Sequence, residues 1–239
     1  MRHYLRIITA ALAGHLLAAA GAAHGWHDET HLAVARAAGY HKWYNAAGPD
    51  IAKQKAGNIE QRNHYCNNNR GEAVTVGTVL GQIARYNDPS DEEGHLYGAI
   101  IAALRGYERS SREGKYAEYH LAYAAHYLAD LSMPLHNTPY DDFNRRRHER
   151  NDGIVEKSVL RDVERIQRLM APVALGRESF EADLAREITR IANGASRLAE
   201  RMRRENRDMT PEEAYGQLAQ SAALLEAVLG RVQQQGGER

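Results

Sequence analysis

The sequence predicts an all-α protein, a single compact multi-helix domain, and three observations predict it. Apolar residues recur at steps of three and four in several separate stretches, as the buried face of a helix does. No stretch alternates apolar and polar residues in the manner of a half-buried strand. The composition, 43% hydrophobic and 26% charged over 239 residues, is that of an ordinary globular chain long enough for one good core.

Residues 1–25 read as a targeting segment rather than as part of that domain. Arg2 and Arg6 make a short positive region, "IITAALAGHLLAAA" an apolar one, and Ala23 and Gly25 the small positions a signal peptidase reads. The apolar run is shorter than the ~20 residues a spanning helix needs, so export with cleavage after Gly25 is expected, to the periplasm or outside the cell, with no stable membrane anchor. The domain then covers residues 26–239. Losing Arg2 and Arg6 leaves 29 of the 31 basic residues against 31 acidic ones, which gives no global basic footprint for duplex nucleic acid. A single cysteine, Cys66, excludes an intrachain disulfide framework.

Helices are expected over about Asp28–Ala38 and about Ala73–Tyr86, and over 115–132, where Pro134 ends the run. Val155, Val159, Val163, Ile166 and Met170 step as one buried face. Phe180 to Met202 and Leu218 to Val232 do the same, the last after a capping box of Thr210 and Glu213 with Pro211 in the first turn. Polar stretches at 57–72, 87–94 and 137–153 read as loops.

Twelve histidines are many for this length. In "HYLADLSMPLH", His126 and Asp130 lie four apart, so one helix face offers both to a single ion, and His136 follows just past the helix end. "HERND" repeats the spacing with His148 and Asp152. Asp50, His64 and His31 add further imidazole and carboxylate groups, a mixture that suits zinc better than magnesium or calcium. Each residue also has a plainer reading. Asp50 after Gly-Pro suits a helix cap, Asp152 before Gly153 suits a turn, and a lone His-x-x-x-Asp is commonly a solvated pair. Arg145, Arg146, Arg147 and Arg150 read as a solvated basic run, and Tyr65, Tyr119 and Tyr123 as packed tyrosines beside the candidate cleft.

Taken together, these residues resemble the superfamily of zinc-dependent phospholipases C and single-strand-specific nucleases, whose fungal members are called P-one nucleases. The resemblance runs from Trp26 to about Asp152. It implies a trinuclear zinc cleft that hydrolyses phosphodiesters. Trp26 matches the family's N-terminal tryptophan, whose free amine and carbonyl oxygen chelate one zinc, and His31 the histidine sharing it. Asp50, His64 and His126 match the ligands of a second zinc, with Asp130 bridging those two ions. His136, His148 and Asp152 match the ligands of the third. Asp50 and Asp130 would be the catalytic carboxylates, orienting the nucleophile. The step from Trp26 to His31, "GQIARY" and the final aspartate of "HERND" look like the nucleases, whereas the spacing of Asp50 and His64 looks like the phospholipases. The expected substrate is therefore a phosphodiester, single-stranded nucleic acid ahead of a phospholipid headgroup. A non-catalytic zinc-binding protein is the reading from another class.

Overall fold

A computed structural model describes residues 26–237, and the signal segment expected at 1–25 lies outside them. Every regular element among the described residues is helical, as the periodicity requires. In chain order they are α1 (Asp28–Ala37), α2 (Gly48–Ala56), α3 (Asn58–Gln61), α4 (Val76–Gly81), α5 (Leu96–Arg112) and α6 (Glu118–Leu131). Then follow α7 (Asp142–Asp152), α8 (Glu156–Val159), α9 (Val163–Leu169), α10 (Phe180–Arg204) and α11 (Pro211–Gly237). Tight 3-10 turns occupy Trp43–Asn45, Ile83–Arg85 and Pro134–Asn137.

The centre of the molecule is α6, which packs against α1, α2, α5, α10 and α11. Its buried residues include the small Ala122, Ala124, Ala125 and Ala129, so neighbouring helices approach closely there. Ser221 of α11 donates to the Leu128 carbonyl at 2.6 Å and ties the longest helix to this axis. Helix α10 buries one stripe, Leu184, Ile188, Ile191, Ala195, Leu198 and Met202, and leaves its arginines outside, as expected of an amphipathic surface helix. The capping box of α11 is present: Glu213 N–H donates to Thr210 Oγ1 at 3.2 Å, and Thr210 N–H to Glu213 Oε2 at 3.0 Å.

Several sequence expectations change. The segment 137–153 is largely helix α7, not a loop, and 57–72 contains the short helix α3. The Val155–Met170 face is real, with Val155, Val159, Val163 and Ile166 buried, but α8 and α9 carry it across a turn. The stretch Ala73–Tyr86 shortens to α4 and a 3-10 turn, and α5, which the periodicity did not mark out, is the main partner of α6.

Gly98 of α5 shows how tightly that helix is set against the segment that follows α4. A Cβ there would lie 2.2 Å from the Gln82 carbonyl carbon, against backbone that cannot swing away. Gly98→Ala is expected to cost about 3 kcal/mol through overpacking, read as a lower urea midpoint with an unchanged slope. A midpoint equal to that of the parent protein would mean the two segments do not approach so closely.

Candidate metal centre

Five segments converge on the buried end of α6. His126 and Asp130 project from one face of that helix, both with no exposed surface. The helix stops at Leu131, and Asn137 closes its end by donating to the Leu131 and Met133 carbonyls at 2.9 and 2.8 Å. That clamp fixes the Pro134–Asn137 turn and with it His136. Helix α7 is capped by Asp141, whose side chain accepts from the Phe143 and Asn144 amides, and its inward face carries His148 and Asp152. Helix α1 delivers His31 and the first turn of α2 delivers Asp50, while His64 follows α3.

These side chains form three groups able to hold a metal ion: His31, His126 and Asp130; Asp50, His64 and His126; and His136, His148 and Asp152. Asp130 lies between them. Its Oδ1 is 3.4 Å from His31 Nε2, 3.6 Å from His136 Nδ1 and 3.3 Å from the Trp26 nitrogen. Its Oδ2 is 3.0 Å from His64 Nδ1 and 3.3 Å from His126 Nε2. The third group is held together by 3.2 Å between the Nε2 atoms of His136 and His148, and by 3.3 Å from His148 Nε2 to Asp152 Oδ2. Trp26 is anchored by its indole N–H, which donates to the Ala129 carbonyl at 3.1 Å.

Hydrogen bonds on the far side of the rings settle which nitrogen faces inward. His126 Nδ1 sits 2.7 Å from the Ala46 carbonyl, which can only accept, so Nδ1 carries the proton and Nε2 presents a lone pair. His148 Nδ1 donates to Asn144 Oδ1 at 2.6 Å, with the same consequence for its Nε2. His64 points the other way: Nε2 faces Glu60 Oε1 at 3.2 Å, leaving Nδ1 for the centre. Two inward lone pairs, His126 Nε2 and His64 Nδ1, thus lie 3.1 Å apart with a carboxylate oxygen beside them. Such an arrangement repels itself unless a cation or proton sits in it. Elsewhere in the centre, both ring nitrogens of His31 and both oxygens of Asp152 are buried without a hydrogen-bond partner. The donor set therefore fits metal ions.

Protonation tells the same story. Burial lowers His31 and His126 to about 4 and holds His64 well below its ordinary value, so the imidazoles are neutral, the form that ligates. Burial raises Asp130 and Glu60 to about 7, and raises Asp152 well above the usual range. For Asp50, burial acts upward but His126, His31 and Lys53 outweigh it, and its carboxyl lies well below the ordinary value. The metal-free centre thus keeps protons on buried carboxyls that a cation would displace. Zinc uptake is expected to release more protons at pH 6 than at pH 8, because the Asp130 proton is present below about 7 and must leave, whereas the imidazoles have none to give. Calorimetry in buffers of different ionisation enthalpy checks this, and equal release at both pH values would contradict it.

A cavity of about 470 Å³ opens beside the centre, lined by Trp26, Asp50, Lys53, Gln54, Gln61 and Glu149 among others. Lys53 Nζ lies 2.7 Å from Asp50 Oδ1. Several residues around the centre carry no mark in the sequence reading. Lys53 stands three residues after Asp50, Glu60 four before His64 and Asn144 four before His148, so helical spacing from each ligand candidate would have found them. Glu156 is another: its carboxylate accepts from the Glu29 and Thr30 amides at 2.7 and 3.1 Å and fixes the start of α1.

The plainer readings divide. Asp50 is not a cap, since Ala47 occupies that position, and Asp152 ends α7 as a helical residue rather than starting a turn. The arginines beside His148 are ion-paired outside the centre, Arg145 and Arg146 to Asp142, Arg147 and Arg150 to Asp208. Tyr65 is buried and Tyr123 partly so, but Tyr119 is exposed, with its ring against those of Tyr116 and His120 rather than in the core. Cys66 is a buried thiol beside Gln82, pushed up to about 11 by burial, and belongs to none of the three groups.

Fold and site together define an all-helical protein with a buried histidine–carboxylate centre able to hold metal ions. No protein-family model matches the chain, no curated protein matches it, and no solved structure matches it. Among the described residues, no helix is long and apolar enough to cross a membrane.

Proposed function

We propose that the protein is an exported zinc-dependent phosphodiesterase of the phospholipase C and single-strand nuclease type, acting on single-stranded nucleic acid. The observation that carries the reading is Asp130, which offers one oxygen towards Trp26 and His31 and the other towards His64 and His126, as a carboxylate bridging two ions would. On this reading Trp26, His31 and Asp130 hold one zinc, Asp50, His64, His126 and Asp130 a second, and His136, His148 and Asp152 a third. Zinc held by these residues would supply Lewis acidity towards a phosphodiester.

The chain's own groups do the rest. Asp50 reaches the cavity wall and stays ionised, so its carboxylate orients an attacking oxygen by accepting a hydrogen bond from it. Lys53, on the same wall, sets a cation beside the anionic phosphodiester. Asp130 has no exposed surface and acts by holding His31, His64 and His126 in register. The cavity wall also carries the Gln54 and Gln61 amides, which suit the polar edges of a nucleotide.

The test is a substrate panel on zinc-loaded protein beginning at Trp26: single-stranded DNA, RNA and phosphatidylcholine. Turnover of the nucleic acids above the lipid supports the reading. Lipid turnover alone would make the protein a phospholipase C, and zinc content without turnover of any substrate would make it a zinc-binding protein.

A further inference from the structure

The three ring nitrogens whose outer partners are fixed do not have equivalent partners. His126 is backed by a neutral carbonyl and His148 by a neutral amide oxygen, whereas His64 is backed by the carboxylate of Glu60. Glu60 is itself buried, 4% exposed, and its environment is built around it. Tyr127 donates its hydroxyl to Glu60 Oε1 at 2.6 Å, and Asn63 Nδ2 approaches Oε2 at 3.3 Å. Asn63 is in turn locked from outside. Its Nδ2 donates to Asn87 Oδ1 at 2.9 Å, while its Oδ1 accepts from the Asn87 amide at 3.3 Å and faces His95 Nε2 at 2.8 Å. Asp91 then holds the other nitrogen of His95 at 2.8 Å. Asn87 takes up this position in a left-handed backbone conformation, φ 64°, which asparagine tolerates better than most residues.

A buried carboxylate is expensive to desolvate, and a network of five further side chains to hold it in place calls for a return. A carboxylate accepting from the outer nitrogen of a ligand histidine raises that ligand's basicity and fixes its ring; changing such an outer partner typically lowers metal affinity about 10- to 100-fold. We infer that Glu60 is a positioning residue for His64, and that it makes the Asp50–His64–His126 group the tightest of the three metal sites and the first to fill. This rests on the metal-centre reading proposed above, but not on the identity of the substrate.

The experiment is a competitive chelator titration of zinc into the full chain and into Glu60→Gln, with cobalt absorption spectra recorded on both. Glutamine keeps the shape and a carbonyl oxygen while removing the charge. The expected result is that the first zinc equivalent weakens about 10- to 100-fold, the later equivalents hold, and the spectrum of the first cobalt equivalent changes. The metal-free melting temperature reads separately the cost of turning the glutamine N–H₂ towards Asn63, and a purely structural role for Glu60 would weaken all the zinc equivalents rather than the first alone. A first-equivalent affinity within about twofold of the parent overturns the inference while leaving the metal centre standing. A parent chain that takes up no zinc overturns both. Nitrogen-15 spectra of the histidines in the zinc-loaded parent chain give a check that no folding defect can confuse. His64 should carry its proton on Nε2 with Nδ1 shifted by metal, and the opposite tautomer overturns the inference.

Discussion

Asp130→Asn is expected to strip the centre of two zinc ions together and to abolish the proposed phosphodiesterase activity. The asparagine is nearly the same size, but one of its two inward atoms becomes an N–H₂ that donates and cannot ligate. Asp130 sets Oδ1 near the Trp26 nitrogen and His31 and Oδ2 near His64 and His126, so either orientation of the amide turns donors on one pair. The loss in zinc affinity at the pair should exceed the roughly 100-fold upper range for outer partners, since a direct ligand is removed. His148→Ala should cost the His136–His148–Asp152 ion alone. Zinc counted by mass spectrometry on both variants checks this, and equal losses would argue against a shared carboxylate. Folding should survive: Asp130 is held at about 7 by burial, so a neutral side chain there relieves a desolvation cost.

The second large effect concerns Trp26. Its nitrogen lies 3.3 Å from Asp130 Oδ1 while its indole is anchored to Ala129, so the main-chain atom and not the ring faces the centre. Within an unprocessed chain that nitrogen is an amide, whose lone pair is delocalised and does not bind zinc. Cleavage after Gly25 would convert it to an amine. Protein keeping even one residue before Trp26 is therefore expected to hold one zinc fewer and to lose at least about 100-fold in turnover, a barrier change of roughly 2.7 kcal/mol. The comparison is between protein beginning at Trp26 and the same protein with a single added N-terminal glycine. Equal zinc content and equal rates would remove Trp26 from the ligand set and leave His31 with Asp130 alone.

How far the sequence revealed this is clearest from α6 and α7. The helical character of α6 follows from its apolar steps, and the four-residue spacing of His126 and Asp130 made the pair visible. The same spacing exposed His148 and Asp152, yet the helix carrying them was read as a loop. The reason is physical. The buried face of α7 consists of Asn144, His148, Asn151 and Asp152 with Phe143, so apolar periodicity has almost nothing to register. A helix that buries polar groups into a site is silent to a test of hydrophobic pattern. In α5 the glycines Gly98 and Gly106 interrupt the helical signal; a Cβ at either would come within 3 Å of packed atoms, so both serve close approach. The break between α8 and α9 was hidden because the turn preserves the face it interrupts. All nine proposed ligand residues come together around Asp130 and α7, but the outer partners were missed, because a carbonyl such as that of Ala46 has no sequence signature at all.

The central claim is that the His/Asp centre holds zinc, and anomalous diffraction at the zinc edge from protein beginning at Trp26 tests it most directly. Three peaks are expected. One should lie about 2.0–2.2 Å from both His126 Nε2 and His64 Nδ1, a second beside the Trp26 nitrogen and His31, and a third between His136 and His148. No peak between His126 Nε2 and His64 Nδ1 in zinc-loaded crystals would contradict the account at its core.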